Sequence, residues 1–203
     1  MDTGGDRLMD IRMTADKVGA FLDRVDALTN HDVFVGIPAA KTERRDATQP
    51  INNATLAFIH EHGSPARNIP ARPFLHPGIR KAKKEIVAQF RKAALEVLDG
   101  KPPDASMHRA GMIARNSVVK EITDPAPPFT PLSPVTIRAR LRRTQAGRRK
   151  LMQLSKQGKP LGTWAQERNK AGNPNIRPLI DTGQLRAAIT YVVRKEGYST
   201  RWR

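Results

Sequence analysis

The chain has no cysteine, so neither a disulfide framework nor a thiolate metal site can be built from it, and this fits a reducing cytosol. It has no apolar run near the roughly 20 residues that span a bilayer. Its N-terminal MDTGGDRLMD lacks the apolar stretch of a secretion signal, so the expectation is a soluble product made in a cytoplasm, with no membrane partner. Aromatic residues are scarce, at 5 %, which leaves little for base stacking. Acid is scarce too: 19 Asp/Glu stand against 36 Lys/Arg, for a formal charge of +17. A charge of that size points to a polyanionic or acidic partner. With 203 residues and 38 % hydrophobic content, the chain suits a single domain, or one with a sizeable insertion, whose core takes up only part of it.

The charge is concentrated. Residues 131–177 hold twelve Lys/Arg and one acid, Glu167. A block this one-sided repels itself, so it is expected as an extended basic loop insertion or arm that needs a counter-surface. Arg138, Arg140, Arg142, Arg143, Arg148, Arg149 and Lys150 are its candidate contacts to DNA or to an acidic partner. Phosphate neutralisation needs Lys/Arg in number, and Ile137–Arg177 supplies them. It offers only Trp164 for stacking, so sequence-specific reading of single strands is not expected. No helix-turn-helix, zinc-finger or RNA-recognition signature is present. The alternative is a loop that orders against an acidic neighbour.

Periodicity outlines the remaining elements. Met1–Met13 reads as a loose tail. Thr14 can cap a helix to about Leu28 with Val18, Phe21, Leu22, Val25 and Leu28 on one face. Asp32–Ile37 has strand composition and is halted by Pro38, with Ala39–Pro50 following as a loop. Asn52 or Asn53 can cap a short helix carrying Leu56, Ile59 and His60, ended by Gly63 as a left-handed cap. Pro70 and Pro73 hold the next segment extended. The longest helix is expected over Pro77–Leu98, with Ile79, Ala82, Ile86, Phe90, Ala93 and Val97 as its apolar stripe. That face lacks Trp and includes two alanines, which favours a core face over membrane binding. Asp104 can cap a helix to Ile122 in which Met107, Gly111, Ala114, Val118 and Ile122 suit close packing on another helix. Residues 124–128 form a stiff proline spacer. A basic helical piece spans Ser133 to about Gln145, and little periodicity follows to Asn175. Asp181-Thr182-Gly183 can start a helical turn leading into a strand over Ala188–Arg194. The fold expected is α+β: a small antiparallel sheet that includes the C-terminal strand, packed with several helices, one of them long and amphipathic. Two strands rarely stand alone, so further ones are expected within the loops.

Catalytic and metal constellations are weak. His60 and His62 lie two apart and face different directions on a helix, so they cannot share an ion as an i, i+4 pair would. The zinc-protease H-E-x-x-H spacing is absent, since Glu61 is followed by His62-Gly63. Asp181-Thr182-Gly183 resembles the aspartic-protease signature, but no second copy is present to share a proton. Asp181, Thr182 and Gly183 read more simply as a structural cap. No cofactor is expected.

Three separated stretches together resemble the bacteriophage tail-completion family, also called virion-morphogenesis or neck proteins. His60-Glu61-His62-Gly63 followed by Ile69-Pro70-Ala71-Arg72-Pro73-Phe74 is similar to "HE-x-G-x-x-x-x-x-I-P-x-R-P-F". Pro131-Leu132-Ser133-Pro134-Val135-Thr136 is similar to "PLSP-x-T", and Pro178–Ile189 to "PL-x-DTG-x-L-x-x-S-I". The chain departs from the family at His62, where an aromatic such as Phe is common, and at Ala188, where Ser is usual. The resemblance implies a non-enzymatic virion protein, assembled in the host cytoplasm and sited at the neck of a long-tailed phage or prophage. It implies partners as well: other copies in a cyclic ring, the head–tail connector, the tail terminator or tail tube, and DNA in the channel. On that reading Ile69, Pro70, Arg72, Pro73 and Phe74 form a subunit or partner interface, with Arg72 and Phe74 as anchors; plain core burial is the equal alternative for Phe74. Non-sequence-specific DNA binding through 137–177 is the alternative, and an aspartic-type hydrolase at Asp181 is a more distant one.

Overall fold

The computed structural model describes residues 18–26, 28–43, 51–124, 129–170 and 178–195. The Met1–Met13 tail, the Thr14 cap and the 125–128 part of the proline spacer lie outside the described residues. The length expected of one domain is organised as two compact units. Helix α4, Asp104–Thr123, contributes its first half to one and its second half to the other.

The first unit holds most of a two-stranded antiparallel sheet, β1 (His31–Gly36) and β2 (Thr190–Lys195). Both strands fall within two residues of expectation, since β-branched and aromatic residues favour a pleated, half-buried surface. No further strand joins them among the described residues. The sheet is instead backed by α4, where Gly111 carries the ring of Tyr191: a methyl group built on Gly111 would overlap that ring. The small residue thus admits a strand residue where a helix was expected. His108 meets the same ring edge-on at 5.9 Å. At the start of α4, Asp104 pairs with Lys195 at 3.3 Å and lies 3.7 Å from His31. Ala93, Val97, Met107, Ala110 and Ala114 are buried here. Residues 18–26 are helical as expected, but the face meant for a core is open: Val18, Phe21 and Leu22 are each about half exposed.

The second unit contains α1 (Asn53–His62), α2 (Leu75–Lys81), the end of α4, α5 (Pro134–Arg142), α6 (Gln145–Lys156), α7 (Leu161–Lys170) and α8 (Gln184–Ala188). Asn52 caps α1 by accepting from the Thr55 amide. Asn53 is buried and ties back through its Nδ2 to the Lys41 and Glu43 carbonyls. The single long helix expected over Pro77–Leu98 is two helices. The chain breaks at Ala82, with φ −86° and ψ 0°, before α3 (Lys83–Leu98). The break falls where the chain passes from the second unit to the first, so one apolar stripe serves two cores. Phe90 of that stripe is exposed, and α4, with 20 residues, is the longer helix. On the near side of the break, Gly78 lets α2 close onto α4: a methyl there would sit 2.7 Å from the Val118 Cα. Ser117 donates to the Gly78 carbonyl at 2.7 Å, and Lys81 pairs with buried Glu121 at 2.6 Å.

Within its described residues, 131–170, the basic segment is largely helical, which corrects the expectation of an extended loop or arm there. Ser133 and Thr144 cap α5 and α6 through their side chains. Ile137, Leu154, Trp164 and Ala165 form a small core of their own, with Leu132, Leu141 and Leu161 packed against it. Self-repulsion is offset because most of the charged heads stay exposed, Arg140 being the largely buried exception, while these apolar side chains leave water.

Glycine substitutions separate the two kinds of position. Gly111→Ala forces the Tyr191 ring to move and is expected to destabilise the fold by about 1–2 kcal/mol, despite the better helix propensity of alanine. Gly19→Ala meets nothing within 4 Å and is expected to stabilise by about 0.5–1 kcal/mol. Denaturant midpoints of the two variants check this.

Candidate functional site

The segment from His60 to Phe74 closes on itself. Gly63 ends α1 with φ 77°, a conformation that glycine adopts freely. The chain returns so closely that a methyl on Gly63 would lie 2.9 Å from the Ala71 nitrogen. Ser64 and Ile69 exchange backbone hydrogen bonds of 2.9 and 3.0 Å, and the Arg72 amide donates to the His60 carbonyl at 2.6 Å. Glu61 then completes the loop. Its Oε2 accepts from the Phe74 and Leu75 amides at 2.8 and 2.9 Å, and its Oε1 accepts from the His76 amide at 3.0 Å and lies 2.7 Å from His76 Nδ1. These are otherwise unpaired donors at the start of α2, where a carboxylate is stabilised. Burial alone would raise the Glu61 carboxyl, but the amides of His76, Leu75 and Phe74 and the His76 ring outweigh it and hold the group below its usual range.

The proposed anchors sit inside the fold. Phe74 is 2 % exposed and Arg72 6 %, so neither is available to a partner. Arg72 donates from Nε to the Thr130 carbonyl at 2.8 Å and from Nη2 to the Pro131 carbonyl at 3.1 Å. The planar guanidinium fork suits such paired acceptors. Of the remaining interface candidates, Ile69 is half-buried, while Pro70 and Pro73 are exposed.

The late turn is held from the basic segment. Arg140, largely buried, donates to the Ile180 carbonyl at 2.8 Å, and its Nε lies 3.6 Å from Asp181 Oδ1. Arg143 donates to Asp181 Oδ2 at 2.5 Å. Asp181 is therefore an arginine partner. The N-cap position of α8 is taken by Gly183 at φ 76°, one of the three residues expected to form the cap. Leu179 adopts φ 65°, a left-handed conformation that costs a non-glycine residue about 1–2 kcal/mol. Its side chain is buried, and the next carbonyl is gripped by Arg140.

The other basic residues divide by helix face. Arg138 and Arg142 are one turn apart on α5, opposite Arg140, and with Arg148 they line a groove of about 690 Å³. Leu151, Leu154, Ser155, Lys159, Pro160 and Leu161 complete its lining. Arg138, Arg142 and Arg148 have no ion-pair partner among the described residues, while Lys159 pairs with Glu167 at 2.7 Å. Arg149 is exposed outside the groove. Lys150 donates to Gln153 and lies 6.0 Å from the Trp164 ring.

The histidines go separate ways. His62 stacks on Phe58 at 4.3 Å, and His76 is held by Glu61. His60 is half-buried beside Arg72 and Arg140: desolvation first, then these two charges, push its pKa down to about 4. No cluster of three or more metal-ligating side chains occurs among the described residues. Sequence reasoning assigned no role to Glu61 or Lys159, and took Asn53 only as a possible helix cap. Of these only Glu61 left a signal, as a carboxylate preceding a glycine turn that leads back to a helix start.

The depressed His60 makes stability pH-dependent. The unfolded chain binds this proton near pH 6.5 and the folded chain only near 4, so His60's contribution is complete above pH 6.5 and declines as pH falls through that window. Between pH 7 and pH 4.5 the loss attributable to His60 is expected to reach about 2.5 kcal/mol. His60→Gln should remove that slope from denaturant titrations. Glu61→Gln should cost about 2 kcal/mol at pH 7, because one amide oxygen cannot serve all these donors. The Glu61→Gln penalty should shrink on acidification below the usual carboxylate range.

No protein-family model matches the chain, and no solved structure matches it. A stretch of 35 residues is 49 % identical to an uncharacterized protein of Methanocaldococcus jannaschii, covering 17 % of this chain. The match spans about a quarter of that protein's length, 26 %.

Proposed function

We propose that this chain is a structural protein of a long-tailed phage or prophage, a ring subunit at the neck that completes the tail and joins it to the head. One observation carries the reading. The three stretches that resemble the tail-completion family, separated in sequence by more than fifty residues at the first gap, are tied together in one unit. Arg72 of the first stretch binds the Thr130 and Pro131 carbonyls at the second. Arg140, just beyond the second, binds Ile180 and Asp181 of the third. Helix α1 of the first packs on α8 of the third. Residues shared with the family thus fix backbone to backbone, as a mechanical part requires.

Two further features support the reading. The Asp181 oxygens face guanidinium groups, which suits a structural tie better than the shared-proton carboxylate pair of aspartic hydrolases. Unpartnered apolar side chains, among them Val18, Phe21, Leu22, Leu95 and Leu98, offer material for contacts between ring subunits. Other copies, the connector, the tail terminator or tail tube, and DNA in the channel are the partners this reading carries.

The test is made on particles. In the strain that encodes the chain, particles are purified after induction, with and without a disrupted gene, and are studied by mass spectrometry and electron microscopy. The polypeptide is expected at the neck of complete particles, and its loss should leave filled heads and unattached tails. Complete particles that lack the polypeptide, or that form equally well without it, overturn the proposal.

A further inference from the structure

We propose that the groove between α5, α6 and the α6–α7 link docks an acidic protein segment that carries an apolar anchor side chain. The segment would come from a neighbouring assembly protein. That source rests on the neck reading above, whereas the chemistry of the groove does not.

The argument begins with how α5 divides its charge. Arg140 and Arg143 point to the Ile180–Asp181 turn and are engaged there. Arg138 and Arg142 point the other way and join Arg148 of α6 around one concavity of about 690 Å³. All three are exposed, and no carboxylate pairs with them among the described residues. Converging guanidinium groups repel one another unless an anion lies between them. Their planar forks match carboxylates in paired hydrogen bonds.

The apolar part of the lining decides which anion. Leu151, Pro160 and Leu161 line the same concavity as the arginines, together with Ser155. A duplex backbone has phosphates and sugars to offer and nothing to place on leucine, and the nearby Trp164, 7 % exposed, cannot stack on a base. A peptide with Asp or Glu on either side of a Leu or Phe satisfies both parts: its carboxylates meet the arginines, and its apolar side chain covers the leucine and proline side chains of the lining. A concavity of this size holds one or two side chains of such a segment.

The proposal is tested with the full chain by fluorescence anisotropy at about 150 mM salt, where exposed charge pairs alone are weak. Three labelled probes are compared: a short Asp/Glu peptide with a central Leu-Phe, the same peptide with Ser-Ser in its place, and a duplex DNA. The Leu-Phe peptide is expected to bind best, with about a tenfold loss for the Ser-Ser form. Arg138→Ala and Arg142→Ala should each weaken it about tenfold. Arg149→Ala, outside the groove, should leave it unchanged, and all three variants should unfold as the parent does. Tighter binding of the duplex, equal binding of the two peptides, indifference to the groove variants, or no peptide binding overturns the assignment. Because the assay uses the isolated chain, its failure is distinct from absence of the polypeptide from particles.

Discussion

A single carboxylate organises the larger unit. Glu61 stands at the end of one helix and gathers three consecutive amides at the start of another, with a histidine ring added. Those amides have no partner within their own helix, so without Glu61 the start of α2 would lose both its hydrogen bonds and its favourable charge. Much else follows from that placement. Phe74 is set into the core, Gly78 is brought against Val118, and Arg72 is aimed at the carbonyls of Thr130 and Pro131. The turn at Gly63 makes the geometry possible, because the returning strand passes where a side chain would otherwise stand.

Arginine plays the complementary part. Arg72 and Arg140 lose hydration on burial, and that burial lowers the pKa of each. Backbone carbonyls, and Asp181 in the case of Arg140, replace much of what water supplied. Through these contacts residues 40 to 59 positions apart become neighbours. The same helix that carries Arg140 inward carries Arg138 and Arg142 outward, so a periodicity of 3.6 residues separates holding the fold from presenting a surface. His60, close to both buried guanidinium groups, is kept neutral by the same arrangement, and acid weakens the unit at this point.

Local physics accounts for what could be read in the chain. Strand composition placed β1 and β2, polar caps placed α1 and α5, and the apolar spacing of α4 located residues that are all buried. The misreadings have a common cause. In α6 the apolar residues are few among Arg148, Arg149, Lys150 and Lys156, so charge density hid a helix whose small core is supplied by α5 and α7. The stripe from Ile79 to Val97 looked continuous because periodicity does not register a break that leaves the apolar side chains in step. Arg72 looked like an anchor for a partner, and Phe74 fitted anchor and core equally, because aromatic and arginine residues serve interfaces and interiors alike.

The chain's own order of residues determined the element types, the α+β class and the concentration of positive charge in one segment, since each depends on neighbours within a few positions. It also held the three stretches on which the likeness to tail-completion proteins rests. Only the tertiary structure decided which arginines hold the fold and which line a groove, that Glu61 caps a helix it does not belong to, and that Asp181 answers to Arg140 and Arg143. Those outcomes depend on burial and on partners 13 to 59 residues away, and no local pattern encodes a distance through space.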